Sequence, residues 1–256
     1  MKTVIGNWKM NLGIRESVAL AHGVLQSLKG KELTPDVVIC PPFTVLSEVQ
    51  KAVSKSKLAL GAQNCGPDRA GAFTGEISVP MLKDVGCSFV IIGHSERRNY
   101  MQEDGVLLHK KFRLALEEKI TPVLCVGESK IEREAGQAIT FVKNQLKEIF
   151  ENQTIPKTSR LMVAYEPIWA IGTGAPASVA DIVEMHQIIR AEVAKYTGAE
   201  PERVEVLYGG SVTSENAYGY LRESEIDGLL IGGASLKLNQ FTEIINLASD
   251  ILNAQI

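Results

Sequence analysis

Short runs of β-forming residues recur eight times along this chain, and their recurrence limits the possible folds more than any other feature. Most of these runs are almost continuously apolar, which is typical of strands covered on both faces of a parallel sheet. We therefore expect a mainly parallel sheet with helices on its outside. The runs occupy residues 3–7, 36–40, 58–64, 89–95, 121–128, 160–167, 204–210 and 227–233.

Helical patterns fill the intervals between these runs. They are clear at 14–30, 103–119, 132–150 and 178–196, and weaker at 44–55, 77–85, 213–222 and 240–252. Ser178 with Asp181 three residues later predicts a helix cap with an acid in the first turn.

Eight strand–helix units without a low-complexity linker predict an α/β protein with a closed (β/α)8 barrel. The length of 256 residues suits one such barrel, so we expect a single domain over residues 1–256. A doubly wound open sheet is the alternative, but no GxGxxG fingerprint follows the first strand.

Charge and composition disfavour several classes of function. The net charge is −3 and no basic block is present, so binding to nucleic acid or to a membrane surface gains no electrostatic support. No apolar run approaches the roughly 20 residues of a membrane span, and the N-terminus lacks the apolar core of a signal peptide. A cytoplasmic protein is therefore expected.

The cysteines predict neither a metal site nor a disulfide framework. Cys40, Cys65, Cys87 and Cys125 are far apart in sequence, with no CxxC pair or Cys/His cluster. Cys40, Cys87 and Cys125 lie in or beside apolar runs, and we expect these three to be small buried apolar residues.

The stretch GNWKMN at residues 6–11 places polar groups at the end of the first strand. Residues two apart in a strand face the same side, so Ile5, Asn7 and Lys9 are predicted to point the same way. An amide and an ammonium would then stand at the mouth of the barrel core.

The other predicted strands also end in polar residues or glycines. In a (β/α)8 barrel these ends meet on one rim, where catalytic residues lie. A carboxylate, an imidazole, an ammonium and two glycine-rich turns would therefore converge. The residues concerned are Gln63, Asn64, His94, Ser95, Glu96, Glu128, Glu166, Gly209–Ser211 and Gly232–Gly233.

Seven stretches together resemble the triosephosphate isomerase family, in the expected order from residue 6 to about 236. The resemblance implies a TIM barrel enzyme of glycolysis and gluconeogenesis that interconverts dihydroxyacetone phosphate and D-glyceraldehyde 3-phosphate through an enediolate, with no cofactor and no metal. The stretches are GNWKMN (6–11), GAFTGEIS (71–78), IIGHSERR (91–98), CVGE (125–128), AYEPIWAIGTG (164–174), YGGSV (208–212) and IGGASL (231–236).

The resemblance assigns roles to the polar residues at the strand ends. Glu166 is implied as the base that moves a proton between adjacent carbons, and burial of a carboxylate disfavours its charged form. His94 is implied as the neutral electrophile, since a helix predicted to start near Ser95 disfavours imidazolium. Lys9 supplies positive charge and Asn7 a further donor, and both also bind substrate.

The phosphate group of the substrate requires backbone N–H donors. The resemblance places it at Gly172, Ser211, Gly232 and Gly233, where glycines allow the chain to approach its oxygens closely.

An apolar lid is implied over the site. It comprises Pro167, Ile168, Trp169, Ala170, Ile171, Gly172, Thr173 and Gly174. Ala175 and Pro176 replace the basic and hydroxyl residues usual at this hinge, and the fixed φ of proline predicts a stiffer hinge.

Residues around the site are implied to support it. Ser95 and Glu96 are candidate supporting residues, with Glu96 pairing within the site or with Lys9. Loop 64–76, with Thr74 at its tip, is implied to dock into a second subunit of a homodimer. Arg97 and Arg98 are candidates for ion pairs at that interface, with solvated surface charges an equal alternative.

Three other readings of the site remain open. A Schiff-base aldolase on the same barrel would use Lys9 as its nucleophile. A metal-dependent barrel enzyme is disfavoured because the sequence shows no cluster of His and acidic residues. A non-catalytic phosphate-binding barrel would keep the fold without the chemistry.

Overall fold

Eight parallel strands close into a barrel in the computed structural model of the chain, which describes residues 1–31, 33–170 and 177–254. Each strand pairs with the next in sequence, and the last strand pairs with the first, with Ile5 opposite Val38 on one side and Leu230 on the other. The predicted closed barrel is confirmed, and the open doubly wound sheet is wrong. The strands are β1 (Thr3–Asn7), β2 (Asp36–Cys40), β3 (Leu58–Ala62), β4 (Phe89–Ile92), β5 (Thr121–Val126), β6 (Leu161–Tyr165), β7 (Val204–Tyr208) and β8 (Gly228–Ile231).

Helices connect the strands on the outside of the barrel. The described residues contain α1 (Ile14–Ser27), α2 (Leu46–Val53), α3 (Val79–Val85), α4 (Ser95–Tyr100), α5 (Gly105–Glu117), α6 (Lys130–Glu134), α7 (Ala138–Phe150), α8 (Val179–Thr197), α9 (Ser214–Leu221) and α10 (Leu238–Asn253). Short 3₁₀ helices occupy Phe43–Val45, Ile168–Ala170, Pro201–Arg203 and Gly233–Leu236.

One predicted helix is wrong as a single element. The segment 132–150 is divided between α6 and α7, because Gly136 has a φ of 68°, a left-handed conformation that ends a helix. The predicted cap of α8 is confirmed, since the Ser178 hydroxyl accepts a hydrogen bond from the Asp181 N–H at 3.1 Å.

The strands bury both of their faces. One set of side chains fills the inside of the barrel, and the alternate set packs against the helices. The interior set comprises Ile5, Val38, Cys40, Phe89, Ile91, Val123, Cys125, Met162, Ala164, Leu207 and Leu230. This double burial explains the almost continuous apolar character of the strands.

The strands end earlier than the sequence pattern predicts. β3 ends at Ala62, β4 at Ile92 and β8 at Ile231. Gln63, His94 and Gly232 therefore lie on the loops that follow these strands. The barrel fixes where each loop begins, and the loops aim the functional side chains.

A network of charges lies where the strands begin. Arg160 donates hydrogen bonds to both carboxylate oxygens of Glu205, at 2.8 and 2.6 Å, and to Asp36 at 2.8 Å. Its guanidinium also lies over the Phe89 ring, 5.6 Å from the centroid. Burial lowers the pKa of Arg160, but the Glu205 and Asp36 carboxylates outweigh that effect and raise it overall.

All four cysteines are buried free thiols, and the predicted burial of Cys40, Cys87 and Cys125 is confirmed. Burial raises the pKa of Cys65 and that of Cys87 to about 12.

Among the helices of the described residues, none combines the length and the apolar character needed to cross a membrane.

Candidate active site

A cavity of about 300 Å³ opens at the carboxyl ends of the strands. The structure brings together there most of the residues that the sequence placed on this rim. Its lining comprises Asn7, Lys9, His94, Glu166, Gly209, Gly210, Ser211, Val212, Thr213, Leu230, Gly232, Gly233 and Ala234.

Asn7 and Lys9 both face this cavity, but not for the reason predicted. β1 ends at Asn7, so the alternation of a strand does not extend to Lys9. Lys9 has a φ of 52°, and its N–H donates to the Asn7 side-chain oxygen at 3.1 Å. Gln63 holds this turn by donating to the Lys9 and Cys40 carbonyls, both at 2.8 Å. A strained turn, rather than the strand, therefore aims the ammonium.

His94 is the N-terminal cap of α4. Its Nδ1 accepts a hydrogen bond from the Glu96 N–H at 3.2 Å. An Nδ1 that accepts a hydrogen bond carries no proton, so a neutral ring has its proton on Nε2. The Nε2–H group can therefore donate a hydrogen bond in the cavity that His94 lines.

Glu166 follows β6 directly and is only 2% exposed. One carboxylate oxygen lies 3.2 Å from His94 Nε2, and the other accepts a hydrogen bond from the Ser95 N–H at 3.1 Å. The base and the electrophile implied by the resemblance thus contact each other. Ser95 acts here through its backbone N–H.

Gly127 gives the backbone of Glu166 the space that it occupies. A Cβ built on Gly127 would lie 1.8 Å from the Glu166 carbonyl oxygen, which no side chain tolerates. The motif CVGE contains this glycine, but a glycine after a strand does not by itself indicate which backbone lies against it.

Lys9 and Glu96 form an ion pair at 2.6 Å, one of the two arrangements predicted for Glu96. Lys9 also lies beside a glycine turn, because a Cβ on Gly232 would be 3.4 Å from Lys9 Cε and 3.8 Å from its Nζ. Positive charge is therefore placed next to backbone N–H groups, an arrangement that suits an anion.

Ser211, Gly232 and Gly233 line the cavity on the β7 and β8 side. The 3₁₀ helix Gly233–Leu236 starts at this turn. The Ser211 hydroxyl donates to the Ala170 carbonyl at 2.6 Å, which ties this side of the site to the start of the predicted lid. Gly172, the fourth residue predicted to bind phosphate, lies outside the described residues.

The first part of the predicted lid is anchored to Glu128. The Trp169 indole donates to the buried Glu128 carboxylate at 2.8 Å, and the Tyr165 hydroxyl lies 3.1 Å from both of its oxygens. Arg133 lies over the Trp169 ring, 5.2 Å from the centroid. Pro167, Ile168, Trp169 and Ala170 are described, whereas Ile171, Gly172, Thr173, Gly174, Ala175 and Pro176 lie outside the described residues.

The two arginines of the predicted interface behave differently from each other. Arg97 donates to Glu103 of the same chain at 2.7 Å. Arg98 turns inward and donates to the Gly93 and Cys125 carbonyls. The Arg98 guanidinium is thus held by two carbonyls of its own chain although the residue is only partly buried, and ion pairs of the two arginines at an interface stay a prediction.

Loop 64–76 carries Thr74 among exposed residues. The adjacent Phe73 is 45% exposed, and Met81 on α3 is 53% exposed. Each of these side chains is accessible in a single chain.

Cavity size alone does not identify the site. A cavity of about 550 Å³ lies near the other end of the barrel, between the end of α5 and the start of β6. Leu116, Glu117 and Arg160 are among the described residues that line it, and this lining includes neither an imidazole nor a glycine turn. Chemistry therefore favours the smaller cavity at the carboxyl ends.

Within the part of the chain that the structure describes, no three His, Cys, Asp or Glu side chains are grouped so as to hold a metal ion.

The triosephosphate isomerase family model matches residues 2–248 of the chain. Triosephosphate isomerase of Chloroflexus aurantiacus is 45% identical over 244 residues, covering 95% of this chain and 97% of the relative. That of Magnetococcus marinus is 46% identical over 248 residues, covering 95% of this chain and 96% of the relative. The crystal structure of triosephosphate isomerase from Bartonella henselae superposes with a TM-score of 0.85 at 34% identity, covering 96% of this chain and 98% of that one.

Proposed function

Because the chain belongs to the triosephosphate isomerase family, we propose that its rim cavity interconverts dihydroxyacetone phosphate and D-glyceraldehyde 3-phosphate. The observation that carries this function is the meeting of a buried carboxylate, an imidazole and an ammonium in one cavity beside two glycine turns. Proton transfer between adjacent carbons needs a base, oxyanion donors and an anchor for the phosphate, and the cavity offers all three.

Glu166 is the base in this mechanism. Its carboxylate removes a proton from the carbon beside the carbonyl, and the C–H electron pair becomes the carbon–carbon double bond of the enediolate. The same carboxyl group then returns the proton to the neighbouring carbon. Because Glu166 and His94 lie 3.2 Å apart, a substrate held between them requires these two groups to separate.

His94, Lys9 and Asn7 stabilise the charge that develops on oxygen. The Nε2–H of His94 donates to the substrate oxygens, which a neutral imidazole does without becoming a strong acid. The Lys9 ammonium balances the negative charge of the phosphate and of the enediolate. Donors fixed before the reaction stabilise the transition state more than the ground state.

The phosphate binds to the backbone N–H groups of Ser211, Gly232 and Gly233, joined by Gly172. The binding energy of this unreactive group holds the reacting carbon near Glu166. The segment Pro167–Gly174 closes over it, excludes water and protects the enediolate from loss of phosphate.

A coupled assay of isomerase activity on Glu166→Asp tests this assignment. The substitution withdraws the carboxylate by one methylene, about 1 Å, and a displacement of this size reduces turnover about 100-fold. Glu205→Asp at the other end of the barrel is the matched control and keeps its turnover. Wild-type turnover in Glu166→Asp contradicts Glu166 as the base, and an inactive wild type contradicts the isomerase assignment.

The alternatives are less compatible with the site. A Schiff base requires a free amine, whereas Lys9 is held in an ion pair with Glu96 at 2.6 Å. Borohydride trapping with substrate separates the two chemistries, since an isomerase forms no bond that borohydride reduces on the enzyme.

We also propose that the chain forms a homodimer through loop 64–76. Large apolar side chains are exposed on the loops and helices that follow β1, β3 and β4: Met10 is 97% exposed, Tyr100 79%, Met101 63%, Met81 53% and Phe73 45%. These exposed apolar side chains all follow strands in the β1–β4 part of the barrel, and together they favour binding of a protein partner. A second copy of the chain is the partner that the family suggests.

Thr74→Arg tests the dimer by placing a bulky cation at the tip of the loop. We expect a monomeric mass by light scattering and reduced isomerase activity. Thr158→Arg, at an exposed threonine near the opposite end of the barrel, is the control and keeps the wild-type mass. A wild type with a monomeric mass contradicts the dimer.

We infer a cytoplasmic location from the four buried free thiols, which suit a reducing compartment. Cell fractionation followed by isomerase assay tests it, and activity confined to an extracytoplasmic fraction contradicts it.

A further inference from the structure

Arg98 is a charged residue that the mechanism above does not use, although it lies directly under the site. It belongs to α4, which His94 caps. Its Nε donates to the Gly93 carbonyl at 2.8 Å and its terminal NH2 group donates to the Cys125 carbonyl at 3.0 Å. Gly93 follows β4 immediately and Cys125 is in β5, so one guanidinium joins the carboxyl ends of two neighbouring strands.

The surroundings of Arg98 differ from those of a structural ion pair. Among the described residues no carboxylate lies within 4.0 Å of its guanidinium, whereas the adjacent Arg97 pairs with Glu103 at 2.7 Å. Burial lowers the pKa of Arg98, and Cys125, Glu148 and Glu166 act in the opposite direction. A cation bonded only to carbonyls keeps its positive charge for other groups.

Glu166 is the functional carboxylate that faces this charge. Arg98 and Glu166 line the same small cavity, together with Gly127 and Ser95. Its volume of about 10 Å³ leaves room for one water molecule at most. The two groups therefore lie near each other, and the carboxylate side of the pair is shielded from solvent because Glu166 is only 2% exposed.

Among the described ionisable groups around Glu166, Arg98 is the cation that is not paired with a carboxylate. From the end of β1 comes Lys9, which is paired with Glu96 of α4. His94 contacts the carboxylate at 3.2 Å. The Cys125 thiol of β5 stays protonated, because burial and the charge of Glu166 raise its pKa. The cavity-lining residues of β7, β8 and their loops contain no ionisable side chain.

We propose that Arg98 is a positioning residue of the active site, which ties the ends of β4 and β5 together and presents a positive charge to the Glu166 carboxylate. This inference rests on the proposed function for its kinetic consequences. The tie holds the end of β4, which precedes His94, against the end of β5, where the Val126 carbonyl accepts a hydrogen bond from the Glu166 N–H at 2.7 Å. The charge favours the ionised carboxylate that removes the proton.

The test compares Arg98→Gln and Arg98→Lys with the wild type. In Arg98→Gln we expect the acid limb of the pH profile of kcat/KM to move up by about 0.5–1 pH unit, because the cation is lost. We also expect kcat to fall about tenfold with KM little changed, because the reacting groups are displaced. Arg98→Lys retains the charge, so its acid limb returns to that of the wild type.

Arg190→Lys is the matched control at the other end of the barrel. Arg190 also donates to backbone carbonyls, those of Val204 and Glu225, but it pairs with Asp227. We expect this control to lower the melting temperature and to leave the acid limb unchanged. The proposal is overturned if the acid limb of Arg98→Gln does not move. It is also overturned if kcat in Arg98→Gln falls no more than it does in Arg190→Lys.

A second readout does not require isomerase activity. Glycidol is a neutral epoxide that a carboxylate opens to an ester, with the epoxide oxygen taking a proton from water. The pH dependence of Glu166 esterification, located by peptide mass spectrometry, should shift upward in Arg98→Gln as the acid limb does. A shift in an enzyme without isomerase activity supports the role of Arg98 and contradicts only the proposed function.

If Arg98→Gln does not fold, Arg98→Lys tests the proposal. A lowered kcat with an unmoved acid limb in Arg98→Lys supports the proposal, and a wild-type kcat overturns it.

Discussion

The two ends of the barrel use similar side chains in opposite ways. Where the strands begin, Arg160 is bonded to two carboxylates, and Arg190 pairs with Asp227. Where they end, Arg98 is bonded to carbonyls, and Lys9 pairs with Glu96 beside a glycine turn. The pairs where the strands begin link elements of the fold, whereas Lys9, although paired with Glu96, lines the cavity in which a substrate would meet it.

Two histidines repeat this contrast. His94 presents its Nε2 to the cavity and to Glu166. His186 on α8 is completely buried, with Nδ1 3.1 Å from the Glu225 carbonyl and its ring packed edge-on to Tyr165. The same ring is a reactive group at one end and part of the packing at the other, and only its surroundings differ.

The largest expected effect comes from His94→Gln at the functional end. Loss of a fixed donor to the developing oxyanion should reduce kcat about 10²- to 10³-fold. The melting temperature should stay within a few degrees, because the side chain supports no packing layer. His109→Gln on α5 controls for loss of an imidazole. Unchanged turnover in His94→Gln would remove the distinction between the two ends.

Arg160→Met should have the opposite profile at the structural end. The change leaves Asp36 and Glu205 without their cation, so we expect a loss of about 2–3 kcal/mol in the free energy of unfolding. Turnover at temperatures where the protein is folded should remain near that of the wild type. Denaturant unfolding checks the first expectation and the isomerase assay the second. Arg113→Met, on an exposed part of α5, should cost less than about 0.5 kcal/mol.

The third expected effect is a pH dependence of stability caused by His186. Burial lowers its pKa to about 3, so the folded protein keeps the ring neutral where the unfolded chain takes up a proton near pH 6.5. Stability is therefore complete above about pH 6.5 and declines as pH falls toward 3, by at most about 1.4 kcal/mol per pH unit. His186→Gln should reduce this slope in denaturant titrations between pH 6.5 and 4, whereas His22→Gln at an exposed site should not. Equal slopes in all three proteins would contradict this role.

The fold was predictable from the sequence because its signal is repeated. Runs such as 36–40 and 204–210 are apolar on both faces, and this requires the two-sided cover that only an outer layer of helices gives. The division between α6 and α7 was missed because a single glycine at 136 determines it.

The members of the site were predictable, but their geometry was not. The rule that strand ends meet on one rim placed Asn7, Lys9, His94 and Glu166 together. Their orientation depends on backbone conformation and on distant partners: the left-handed φ of Lys9 and the carbonyls held by Arg98 are properties of the folded chain. Arg97 and Arg98 are adjacent and identical in type, so no local pattern distinguishes their roles.

The contact between Gly127 and the Glu166 carbonyl has a consequence for protein engineering. A library that diversifies the loop after β5 would lose nearly every member altered at position 127, because even a methyl group there collides with the backbone that carries the base. Attempts to give this barrel a new reaction are better directed at the loop after β8, where Gly233 has open space beside it.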